Sequence, residues 1–242
     1  MTYNKPIVIA EIGCNHKGQF DIALELLDLA KDCGASIAKF QKRNNMELLS
    51  KEQYESPHPN SHNSYGNTYG EHREFLEFDV DQHKKLQAHC SDIGLEYSTS
   101  VWDVTSAKEI VSLNPKLIKV PSATNTNFKL LEELRDTYSG EVHVSFGMTT
   151  HKEERMIIDI FKGSDTKLVI YSCTSGYPVE FKDVCLLEIS RLKSNYSNDV
   201  YGFGFSGHHL GISIDNAAYT LGATWVERHF TKDRTWKGTD HS

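Results

Sequence analysis

Strict alternation of short β-branched, apolar segments with helical segments is the feature that most constrains this chain. Eight stretches read as strands: 7–12, 37–41, 95–98, 117–120, 142–145, 168–172, 201–205 and 224–227. Between them, 20–33, 81–93, 104–113, 128–137, 152–162, 183–195 and 212–222 read as helices, with Gly34, Gly94, Gly140 and Gly222 where helices should stop. Eight strands in alternation with helices predict an α/β fold, a parallel (β/α)8 TIM barrel. A doubly wound open sheet is the alternative. The run after the first strand, Gly13-Cys14-Asn15-His16-Lys17-Gly18, lacks the dinucleotide pattern of such sheets. No linker breaks the pattern, so one domain is expected over 1–242. Only a short tail follows the eighth strand, so the final outer helix is expected to be missing. The outside of 7–12 and 224–227 is then expected to be bare, and either covered by another subunit or a cause of marginal stability.

Composition narrows the function classes. A net charge of −7 argues against nucleic acid as a partner, since such binders are normally basic. No stretch is long and apolar enough to span a bilayer, and no basic amphipathic stretch suggests a membrane surface. The five cysteines, Cys14, Cys33, Cys90, Cys173 and Cys185, have no zinc-type spacing and read as reduced thiols of a cytoplasmic protein. Cys14 and Cys173 lie near predicted strand ends, where small packing residues are the ordinary reading.

In a TIM barrel the chemistry sits at the C-terminal ends of the strands. Those ends carry Glu11, Lys39, Thr99, Lys119 with Ser122, Ser145, Tyr177, Ser206 with His208, and His229. A single Ser or Thr there is ordinarily just solvated. Lysine is costly inside a barrel unless paired, so Lys39 and Lys119 weigh more. Two ammonium groups among hydroxyls suit a phosphate and a carboxylate. His208 and His229 follow the two strands of one βαβ unit, which brings them to the same end of neighbouring strands, where two imidazoles can share a divalent metal. Together these residues predict a phosphorylated anionic substrate beside a Lewis-acid ion. The long stretch 43–80 after the second strand reads either as a lid or binding loop or as disorder.

Several runs carry a resemblance to a known family. They are Ile9-Ala10-Glu11-Ile12-Gly13-Cys14-Asn15-His16-Lys17-Gly18, Ala38-Lys39-Phe40-Gln41, Tyr69-Gly70-Glu71-His72-Arg73-Glu74-Phe75-Leu76-Glu77-Phe78 and Cys173-Thr174-Ser175-Gly176-Tyr177-Pro178. Gly204-Phe205-Ser206-Gly207-His208, Glu227-Arg228-His229-Phe230-Thr231 and the closing Thr235-Trp236-Lys237-Gly238-Thr239-Asp240-His241-Ser242 complete the set. In this order they resemble the barrel domain of the sialic acid synthases, without the C-terminal antifreeze-like domain that full-length members carry. The resemblance implies condensation of phosphoenolpyruvate with N-acetylmannosamine, an N-acetylhexosamine, or with its 6-phosphate, assisted by a divalent metal, Mn²⁺ first and Mg²⁺ or Co²⁺ as alternatives. It implies that His208 and His229 hold the metal. Lys39, Thr99, Lys119, Ser122, Ser145 and Ser206 would hold phosphoenolpyruvate, and Glu11, Tyr177 and Asp240 would face the sugar and the reacting carbons. A homodimer is implied as well. Departures from the family pattern are Pro121-Ser122-Ala123-Thr124 after the fourth strand, Ser100-Val101 after Thr99, and Phe146 after Ser145. Two alternatives stay open: the same chemistry on another hexose, as in legionaminic or pseudaminic acid formation, and a shortened barrel acting only as a binding or assembly partner.

Overall fold

The computed structural model describes residues 4–238. Eight parallel strands pair in chain order and β8 closes on β1, so the predicted barrel is the observed fold. The strands are β1 (Ile7–Gly13), β2 (Ile37–Lys42), β3 (Glu96–Val101), β4 (Leu117–Val120), β5 (Glu141–Ser145), β6 (Lys167–Cys173), β7 (Gly202–Gly207) and β8 (Trp225–His229). Helix α1 (Phe20–Asp32) follows β1, and α2 (Asn45–Leu48), α3 (Lys51–Glu55), α4 (Tyr69–Phe75) and α5 (Val80–Ile93) follow β2. Then come α6 (Val104–Val111), α7 (Phe128–Thr137), α8 (His151–Phe161), α9 (Glu188–Tyr196) and α10 (Ser213–Leu221). Alternation along each strand divides the side chains. Outward residues such as Ile12, Phe40, Val120 and Val144 pack under amphipathic helices. Inward, Ile9, Ile37, Leu117, Val169 and Trp225 form an apolar floor that closes the barrel below the site.

Helix α9 starts later than the expected 183–195. Residues Phe181–Asp183 form a 3-10 turn, and Cys185 has φ of 50°. A left-handed residue cannot lie inside a right-handed helix, so α9 begins only beyond it.

The stretch 43–80 folds onto the barrel mouth. Ser50 with Gln53 closes a capping box on α3, and Thr68 with Glu71 closes another on α4. Arg73 donates to Asn45 at 3.4 Å and to the Tyr69 hydroxyl at 3.1 Å, which ties α4 back to α2. The Tyr65 hydroxyl donates to the Lys237 carbonyl at 2.6 Å, so the segment after β8 fastens onto this loop.

No helix follows β8 among the described residues, as expected, yet the seam is not an open apolar face. Its outward positions are Val8, Ala10, Val226 and Arg228; Ala10 and Val226 are only 4% and 6% exposed. Ala10 packs in the cluster under α1, and Arg228 spans to Asp215 on α10 at 2.6 Å. A small residue and a bridging arginine leave little bare surface there, which corrects the expectation.

Two buried histidines set a pH dependence. His16 stacks on Phe78 at 4.1 Å, and His83 bonds the Tyr97 hydroxyl at 2.7 Å. Burial pushes both imidazoles down to about 3, with His83 and Arg43 adding to the effect at His16 and Lys42 at His83. The unfolded chain therefore binds protons at these residues below about pH 6.5, and the folded chain only near pH 3. Stability is full above that window and falls as the pH drops through it. Between pH 7 and pH 5 each histidine should cost about 2 kcal/mol. Urea unfolding at the two pH values checks this: the midpoint should fall, and fall less in His83→Gln. An unchanged midpoint would refute it.

Candidate active site

The strand register assembles a charged layer directly above the apolar floor. Glu11 pairs across with Lys39 on β2 and His229 on β8, Ser100 with Lys119 on β4, and Ser206 with Glu227 on β8. Lys39, Lys119, Glu11 and Glu227 are each under 10% exposed. Lys39 Nζ lies 2.5 Å from Glu11 and 3.8 Å from Glu227, and donates to the Ser100 hydroxyl at 2.7 Å. Lys119 Nζ pairs with Glu227 at 3.0 Å, and the Ser206 hydroxyl donates to the other Glu227 oxygen at 3.1 Å. Two cations and two carboxylates thus neutralise one another where water is scarce, the arrangement that burying such charges requires.

The two carboxylates are driven apart. Burial alone would raise Glu227, but Lys119 and Lys39 outweigh it and hold the group well below the usual carboxylate range. At Glu11 burial dominates; Lys39 opposes it, Glu227 reinforces it, and the net shift is upward. Glu227 is a permanent counter-ion, and Glu11 is the carboxyl better able to take a proton. Gln41 donates to Glu11 and accepts from the Trp102 indole at 2.6 Å, which fixes the carboxyl's orientation.

Above this layer opens a cavity of about 710 Å³. Glu11, Lys39, Lys119, Ser122, Ser145, Tyr177, Ser206, His208 and His229, nine of the eleven sequence-predicted residues, line it together. Thr99 does not line it: it is fully buried, and alternation along β3 puts it with Tyr97 on the helix side. Ser100, one residue on, faces the cavity instead and bonds Lys39. Asp240 lies outside the described residues.

The histidines sit side by side, ring centroids 5.4 Å apart, with the Tyr177 ring 4.3 Å from His208. His208 Nδ1 meets the Thr174 carbonyl at 2.9 Å, so that nitrogen carries the proton and Nε2 keeps its lone pair. His229 Nδ1 is buried without a hydrogen-bond partner. Among the described residues no third His, Cys, Asp or Glu joins them as a metal-holding group. Two imidazoles, one with its tautomer fixed by a carbonyl, fit an ion whose remaining positions are filled by water or substrate.

Sequence reasoning missed part of the wall. The sequence expectations give Glu227 no role, although its position two residues before His229, on the same face of a strand, is the available signal. Arg43 and Asn63 reach the cavity from the folded loop, and Arg43 pairs with Glu77 and donates to Cys14 Sγ at 2.9 Å. The Ser50–Gln53 and Thr68–Glu71 capping signals mark that loop as structured.

A closed parallel barrel with buried lysines, a carboxyl network and paired imidazoles around a cavity at the strand ends defines a TIM-barrel protein. The profile of the NeuB family matches residues 26–242, and the chain belongs to that family. It is 38% identical over 235 residues to the N-acetylneuraminate-9-phosphate synthase of Homo sapiens, covering 97% of this chain and 64% of the human protein. To the N,N'-diacetyllegionaminic acid synthase of Campylobacter jejuni it is 30% identical over 240 residues, covering 98% of this chain and 71% of that protein. The crystal structure of a sialic acid synthetase from Leptospira borgpetersenii, in complex with citrate, superposes with a TM-score of 0.82 at 28% identity, over 98% of this chain and 77% of that one. The chain thus spans about 64% of the length of the human relative. No helix among the described residues is long and apolar enough to cross a membrane.

Proposed function

We propose that this chain is the barrel part of a sialic acid synthase, which condenses phosphoenolpyruvate with N-acetylmannosamine or its 6-phosphate to give N-acetylneuraminate or its 9-phosphate and inorganic phosphate. The observation that carries the reading is the convergence of Lys39 and Lys119 with Ser100, Ser122, Ser145 and Ser206 on one cavity. An anion with a phosphate and a carboxylate satisfies that set, and the ammonium groups keep its charge neutralised as the phosphate departs. The Leptospira relative's citrate complex is in keeping with a carboxylate ligand.

The reaction follows from that placement. C3 of the enol attacks the aldehyde carbon of the open-chain sugar and leaves positive charge at C2. Water adds at C2, and phosphate leaves by C–O cleavage. Glu11, raised by burial and oriented by Gln41, holds or moves a proton beside the reacting carbons. Tyr177 lies against His208 and walls the sugar side. A divalent ion held by His208 and His229, Mn²⁺ in the first place and Mg²⁺ or Co²⁺ as alternatives, would supply Lewis-acid polarisation of the aldehyde. Incubation with phosphoenolpyruvate, Mn²⁺ and a panel of hexosamines, following phosphate release, tests the reading. Release with N-acetylmannosamine or its 6-phosphate is expected, and release with none of the panel overturns it.

We place the protein in the cytoplasm, in keeping with five cysteines that form no disulfide among the described residues, and as a homodimer. Support for a partner comes from the rim beside β6 and β7, where Phe181, Leu187, Leu210 and Ile212 are 70%, 74%, 52% and 73% exposed. Large apolar side chains exposed on neighbouring strand-end loops are candidates for a contact surface. Sedimentation should show a dimer that Leu187→Lys with Ile212→Lys dissociates; a monomeric parent chain would count against it.

A further inference from the structure

Lys119 is flanked by Glu227, but a carboxylate at its side does not hold an ammonium upward against the cavity. The ring of Tyr171 on β6, packed with the apolar floor, faces it with Nζ 3.9 Å from the ring centroid. Tyr171 is fully buried and its hydroxyl meets His143 Nδ1 at 2.7 Å. His143 Nε2 in turn meets Glu141 at 3.2 Å. The carboxylate accepts from Nε2–H, which leaves Nδ1 to accept the phenol proton. Glycine at 204 completes the arrangement, because a Cβ there would run into the Tyr171 ring.

We propose that Tyr171 is a positioning residue for anion binding, its ring holding the Lys119 ammonium up to the cavity while the His143–Glu141 chain orients and polarises that ring. The proposal rests on the reading of Lys119 as a ligand of phosphoenolpyruvate. A desolvated ammonium over an aromatic face gains from the ring quadrupole without being neutralised by it, so only Glu227 competes with a ligand above for its charge. A phenol donating into a carboxylate-backed imidazole carries more electron density, which strengthens the attraction. Burial pushes the Lys119 ammonium toward neutrality and Glu227 opposes it; the ring acts in the same sense as Glu227. With the ring removed, the lysine stem sinks into the vacated space and the ammonium lies down on Glu227, away from the substrate.

Calorimetric titration of the chain with phosphoenolpyruvate tests this in the parent, Lys119→Met, Tyr171→Leu, Tyr171→Phe and the Tyr171→Leu/Lys119→Met pair. Tyr171→Leu should raise Kd by roughly thirtyfold, and Tyr171→Phe, which keeps the ring, should recover most of that loss. In the Lys119→Met background Tyr171→Leu should add nothing, which a general packing defect would not reproduce. Parent-like affinity of Tyr171→Leu beside a weakened Lys119→Met overturns the inference alone. Independent, multiplying losses overturn it as well. Parent-like affinity of Lys119→Met overturns the reading of the site, and this inference with it. If Tyr171→Leu does not fold, Gly204→Ala displaces the ring by its new Cβ; weaker binding is then expected, and parent affinity refutes the proposal.

Discussion

A chain carrying His208→Ala and His229→Ala together is expected to fold like the parent and to release no phosphate above the metal-free background. The two rings are neighbours at the cavity wall and contribute little to the core, so their loss removes donors rather than packing. Burial pushes His208 down to about 4, so it is neutral and able to ligate at neutral pH. Lewis-acid assistance is worth several kcal/mol, on the order of a thousandfold in rate. Chelation of the parent should give the same loss, and added Mn²⁺ should restore it. Full metal-dependent turnover in the double variant would show that the ion sits elsewhere.

Lys39→Met should have two large effects that separate. Removing one partner of a buried ion pair strands the other, here Glu11 at 2.5 Å, and such losses cost about 3–5 kcal/mol of stability. Affinity for phosphoenolpyruvate should fall by about 1.5–3 kcal/mol, the worth of a hydrogen bond to a charged group, or roughly tenfold to 150-fold in Kd. Adding Glu11→Gln removes the stranded charge. The combined variant should regain much of the lost stability and none of the affinity. Chemical denaturation and calorimetry on the two variants check this. Unchanged affinity in Lys39→Met would remove the lysine from the binding set.

Much of this was legible because a barrel repeats one unit. The strand 117–120 and the helix 128–137 coincide with β4 and α7, since turn residues bound short β-branched or amphipathic runs on both sides. Once the strand ends were located, nine of eleven expected site residues fell on one cavity without any knowledge of register. At the site, what failed did so at the scale of one residue. Thr99 and Ser100 are both hydroxylic and adjacent, and only the pleat decides which faces inward. Glu227 was hidden for a related reason: a carboxylate between Val226 and Arg228 looks solvated until the strand is known to close the barrel. The late start of α9 was not legible, because a left-handed Cys185 leaves no mark on apolar periodicity.

The pairing of Lys119 with Glu227 has a consequence for how the site comes into being. In a ring of eight strands, β4 and β8 stand diametrically opposite, and 108 positions of chain separate the two residues. During synthesis both lysines leave the ribosome well before Glu227, the carboxylate that pairs with Lys119. A half-barrel ending after β4 would hold two ammonium groups against the single carboxylate of Glu11. Uncompensated positive charge would oppose the drying of such an interior. The last strand therefore does more than complete a ladder of hydrogen bonds: its arrival discharges the lumen, so that closure of the cylinder and maturation of the binding site are one event.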